Sequence, residues 1–179
     1  MMKKIFVTAC FLTAVLFVYA ITAKWKINER LVSITFELPA EGTKGTLSGL
    51  EASLDFNPED LRGSSITASV NVSTINTGNG MRDEHLKSAD FFEEAKYPRI
   101  TFRSDSIISD SSGYKSYGQL SIKNSTQPAV IPFNFEKSDS GYVFSGTIEV
   151  FAGDFGVMSK SLNGTDKVVV KIIVPVTKD

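Results

Sequence analysis

Cysteine is almost missing from this chain: a single Cys10 in 179 residues leaves no internal disulfide framework and no thiolate metal site. Histidine is as scarce. Any Ser-His-Asp arrangement would have to use the lone His85, yet no serine sits in a Gly-x-Ser-x-Gly turn. Zinc motifs such as His-Glu-x-x-His are absent too. The neighbouring acids Glu93 and Glu94 carry no glycosidase signal, because 20 acidic residues in a chain this short place some side by side by chance. Nor is there an excess of one charge. Lys and Arg number 19 against those 20 acids, with the signs interspersed, which argues against a nucleic-acid partner. These absences predict a protein without catalysis, metal or cofactor.

One long apolar run stands at the start. Lys3-Lys4 precede Ile5 to Val18, the basic and apolar regions of a secretory signal. Ala20 and Ala23 both suit the cut, so residues 1–23 are expected to be removed, Cys10 with them, leaving 24–179 as one domain. The predicted location is periplasmic or secreted. The alternative is an uncleaved N-terminal helix serving as an anchor, since the run approaches membrane-spanning length.

Beyond Lys26 the dominant period is two. In Ile66-Thr67-Ala68-Ser69-Val70-Asn71-Val72-Ser73, apolar and polar residues alternate strictly, as in a strand with one dry face. Leu50 to Phe56, Ile100 to Arg103, Leu120 to Lys123 and Ile131 to Glu136 repeat the pattern. Lys26 to Leu38, Tyr142 to Phe151 and Val168 to Val176 are rich in β-branched and aromatic residues, which makes about eight antiparallel strands. Turn-formers separate them at Asn57-Pro58-Glu59-Asp60, Asn124 to Gln127, Ser138 to Gly141 and Asn163-Gly164. Met81 to Phe92 lacks the alternation; with Asn79-Gly80 before it and Asp83 and Glu84 in its first turn, it predicts a short capped helix. An antiparallel sheet with one apolar face either folds into a sandwich or closes into a barrel, and closure removes the exposed edges. The inward positions include Phe36, Phe56, Phe102, Phe133, Phe135, Phe144 and Ile148, mixed with the small Ala52, Ala68 and Gly146. Such a mixture either fills a core or lines a ligand cavity. Both readings stand on periodicity alone.

The helix and the strand after it are more specific. Arg82-Asp83-Glu84-His85-Leu86-Lys87-Ser88-Ala89-Asp90-Phe91-Phe92, followed by Tyr97-Pro98-Arg99-Ile100-Thr101-Phe102-Arg103-Ser104, resembles the signature of the YceI-like family. Trp25, Gly49, Thr74 to Gly78, Gly118 to Ile122 and Asp154-Phe155-Gly156 match in the right order, so the resemblance spans nearly all of 24–179. It implies an all-β, eight-stranded lipocalin-like barrel with one short helix, enclosing a long-chain isoprenoid or another amphiphilic lipid for carriage or sequestration. The seven wall residues above would then touch the ligand, and Arg82, Asp83, His85, Leu86, Phe91 and Phe92 would form the family helix. Association with a membrane and with a second copy of the chain are compatible with this reading. The alternative is a structural or interaction module with a packed barrel. Two departures matter: Val32-Ser33 stands where many members carry His-Ser, and Phe151-Ala152-Gly153 stands where many carry Arg before Asp-Phe-Gly.

Overall fold

The computed structural model describes residues 24–178; the expected signal segment lies outside them. Ten antiparallel strands form one curled sheet: β1 (Trp25–Ile27), β2 (Ser33–Leu38), β3 (Thr43–Leu47), β4 (Glu51–Asp55), β5 (Ser65–Asn71), β6 (Arg99–Asp110), β7 (Gly113–Ile122), β8 (Ser125–Ser138), β9 (Gly141–Phe151) and β10 (Lys167–Lys178). A helix, α1 (Gly80–Lys87), interrupts the series between β5 and β6. The spatial order is β3-β2-β10-β9-β8-β7-β6-β5-β4, with β1 beside β10. From β4 to β10 every strand pairs with its neighbours in sequence; two-residue turns dictate this from β6 to β9, while longer connections join β4 to β5, β5 to β6 and β9 to β10. The N-terminal strands close the circle: β2 pairs with β10, and a bridge between Lys24 and Asp55 ties the start of β1 to the end of β4.

The fold class is the expected one, with ten strands where alternation suggested eight. Lys26 to Leu38 is two strands, because a 3₁₀ turn at Glu29–Leu31 breaks it after Asn28. Thr43–Leu47 is the other addition. Its Lys44 and Gly45 give it no strand signature of its own; pairing with β2, from Ile34 opposite Leu47 to Leu38 opposite Thr43, makes it a strand. The turn expected over Asn124 to Gln127 shrinks to Lys123-Asn124, with Lys123 at φ 53°, and Thr126 and Gln127 join the ladder opposite Ser121 and Leu120.

The interior has two regions. At the end where β1 meets β10, Trp25, Phe56, Tyr114, Phe133, Phe135, Tyr142 and Phe144 form a continuous aromatic plug. Phe56 is its centre, 0% exposed, with four rings at 5.0 to 5.6 Å, all edge-on. Edge-to-face contacts match a ring's positive rim to a neighbour's negative face, so the cluster is both tight and directional. The Trp25 indole N–H donates to the Phe56 carbonyl at 2.8 Å, which satisfies the one polar atom of that side chain. Toward the opposite end, Phe102, Leu120, Ile122, Ala152, Phe155 and Val157 pack as a second cluster against one wall. Gly118 permits a close crossing there: a Cβ on it would lie 2.2 Å from the Arg103 carbonyl and 2.8 Å from the Phe102 ring. The β6 register shifts beside this point, between Ser104 and Ser106.

Candidate ligand cavity

Between the plug and α1 the barrel is hollow. The cavity measures about 780 Å³, within the ordinary range for small-molecule sites. Its walls come from alternate residues of several strands: Ile34 and Phe36 of β2, Ala68 and Val70 of β5, Phe144 and Ile148 of β9, Val170 and Ile172 of β10. Small residues make the space. Ala52 faces Ala68 across β4 and β5, and Ala68 faces Phe102 across β5 and β6, so two of the three positions in that row carry only a methyl group.

Five of the seven expected wall residues, Phe36, Phe102, Phe133, Phe144 and Ile148, line the cavity. Phe56 and Phe135 do not, which corrects the expectation for these two. Period two tells which face a side chain takes, not how deep along the barrel it sits. Phe56 follows the last residue of β4 and is enclosed by the plug, while Phe135 stacks on Tyr142 at 4.8 Å and meets Trp25 at 4.9 Å. The β10 residues Val170 and Ile172 carry no sequence signal for the site. Their segment is almost continuously apolar, so periodicity cannot choose a face; register does, placing Val170 opposite Phe36 and Ile172 opposite Ile34.

The mouth is more polar. Arg82, His85, Leu86, Phe91 and Phe92 of the motif segment border it, together with Glu41, Asp90 and Met158. Helix α1 ends at Lys87, sooner than the motif suggests, because the Ser88 N–H donates to the His85 carbonyl and Ser88 takes an extended conformation. At its start, the Asn79 side chain accepts from the Arg82 N–H. His85 lies edge-on to Phe91 at 4.8 Å, with Nε2 3.6 Å from an Asp90 carboxylate oxygen. The Arg82 guanidinium donates to the Thr77 hydroxyl and carbonyl at 2.9 and 3.1 Å.

Asp83 alone of the motif set does not border the cavity. Its carboxylate accepts from both the Thr77 hydroxyl, at 2.6 Å, and the Thr77 N–H, at 2.8 Å, pinning the helix to the segment before it. The hydroxyl donation, chiefly, holds the Asp83 carboxyl below its usual range. A depressed folded-state pKa contributes stability above the unfolded carboxylate pKa, roughly 4, and that contribution is lost as pH falls through the folded value. Asp83→Asn is therefore expected to flatten the acid limb of stability against pH, read as urea midpoints. An unchanged slope would show that the contact does not order this rim.

Among the described residues no group of three His, Cys, Asp or Glu side chains is arranged to hold a metal ion. The geometry defines a barrel with one sealed end, an apolar hollow and a polar rim, the form of a container for a small apolar molecule. The chain belongs to the YceI-like domain family, whose model matches residues 25–177. It is similar to Protein YceI of Escherichia coli O157:H7, 27% identical over 117 residues that make up 63% of this chain and 61% of that protein. A UPF0312 protein of Vibrio cholerae is 26% identical over 125 residues, 64% of each chain. The matches thus span less than two thirds of these relatives' length. Among solved structures, Burkholderia cenocepacia BcnA superposes with a TM-score of 0.76 at 19% identity, covering 83% of this chain and 98% of its own. A polyisoprenoid binding domain from Saccharophagus degradans, implicated in plant cell wall breakdown, gives 0.63 at 12% identity, covering 88% and 99%. At such identities the likeness concerns the fold.

Proposed function

We propose that this protein is an exported carrier or sequestering protein that holds one long-chain isoprenoid or similar amphiphilic lipid, with the chain in the cavity and the head group at the mouth. The hollow itself carries the reading: an apolar space of about 780 Å³ sealed at one end by the aromatic plug. A packed module would fill that space with side chains, as the plug end does. Each methylene moved from water into such a cavity gains about 0.8 kcal/mol, so a long chain binds by its length and the rim needs only to accommodate the head. Arg82, His85 and Asp90 offer donors and acceptors there. The polyisoprenoid-binding neighbour supports the same class of ligand, and Lys3-Lys4 with the following apolar run supports export. The role is binding, not turnover. Solvent extraction of protein purified from its native source, followed by mass spectrometry, is expected to release a lipid close to one per chain. Lipid-free protein that also fails to take up isoprenoid or fatty-chain probes would refute the proposal.

A further inference from the structure

Among the described residues, one strand-borne polar side chain faces the cavity below its mouth: Ser116. On β7 it lies opposite Ile107 of β6 and Ile131 of β8. The next inward residue on one side is Tyr114, whose ring meets Phe56 at 5.0 Å and Phe133 at 5.3 Å in the plug. On the other side it is Gly118, crossed by Phe102. Ser116 therefore occupies the layer just above the plug, about 7 Å from Tyr114 along the strand. It is 1% exposed, and its hydroxyl has no hydrogen-bond partner among the described residues. The other polar residues along the cavity differ. Ser69, Thr101 and Ser145 belong to the outward face, alternating with Ala68, Phe102 and Phe144, while Glu41, Thr43 and Ser159 lie toward the mouth.

A buried hydroxyl left unpaired is costly, and buried polar groups are nearly always paired. Alanine would line the same layer without that cost. We propose that Ser116 is a polar anchor, and that the preferred ligand carries a hydroxyl or carbonyl oxygen on the inner end of its chain. The inference rests on the lipid-carrier reading and narrows it to chains oxygenated at the buried end. A serine hydroxyl donates and accepts, so it pairs with either group; a tail ending in methyl groups leaves it unpaired. In this conformation Oγ itself is closed off from the cavity, so pairing with a ligand takes a change of χ1 between staggered positions that turns it inward. From Ile122, near the mouth, to Ser116 is six residues of strand, about 20 Å, so the anchored oxygen sits a long alkyl chain away from the head.

Hexadecanoic acid and ω-hydroxyhexadecanoic acid, competing for delipidated protein against a fluorescent fatty acid, test this directly. Wild type is expected to prefer the ω-hydroxy acid roughly fivefold to tenfold, and S116A and the near-isosteric S116C are expected to bind both acids alike. Equal binding in wild type, or a preference that survives in both variants, overturns the anchor and leaves the carrier reading standing. Failure of both acids and of an isoprenoid probe to bind at all overturns both.

Discussion

Phe56→Ala is expected to lower the free energy of unfolding by about 3–5 kcal/mol, the range for removing a fully buried phenylalanine from a core that cannot collapse around the gap. The ring touches Tyr114, Phe133, Phe135 and Phe144 at once, and all four belong to the long β7, β8 and β9. Those strands are held in a continuous ladder and cannot close inward to fill the hole. The lost contacts are therefore lost outright. Urea unfolding should show the midpoint falling with the slope unchanged, as for a pure stability change. Phe36→Ala should cost clearly less, because Phe36 borders the open cavity and has an empty side already. Equal losses at the two positions would mean that plug and cavity wall are packed alike.

Ala68→Trp should have the opposite profile, with little change in stability and a large loss of ligand. Ala68 faces the cavity between Ala52 and Phe102, so an indole there enters empty volume and avoids the usual penalty of overpacking a filled core. Excluding about three methylenes of a bound chain removes about 2–3 kcal/mol, a loss of roughly fiftyfold or more in affinity. Displacement titration with a fluorescent fatty acid measures the loss, and a thermal melt checks the fold. Unchanged affinity would place the chain elsewhere.

These two substitutions separate residues that look equivalent in the sequence. Alternation through Ile66 to Ser73 was enough to mark β5 and its inner face, and Asn79 with Asp83 was enough to mark where α1 begins. Depth was not legible. Phe56 and Phe133 both sit at inward positions, yet the first is sealed in the plug and the second borders the hollow, a distinction set by how far along the barrel each strand ends. The split at Asn28 and the strand at Thr43–Leu47 were hidden for a related reason, since both depend on pairing with distant residues more than on local preference. Ser116 was hidden as well: the alternation legible in the sequence began at Leu120, and only the pairing opposite Ile107 and Ile131 shows that the strand, and its inner face, extends back through Ser116.

The lone tryptophan gives the molecule a built-in optical reporter. Trp25 is held by the Phe56 carbonyl and by the Phe135 and Tyr142 rings at the sealed end, and it does not border the hollow. Its emission follows opening of the plug, whereas a guest chain lodged above Ser116 should leave it nearly silent. Denaturation and ligand exchange can thus be watched through separate signals in one sample, and a tryptophan shift on adding lipid would mean that the chain had breached the floor.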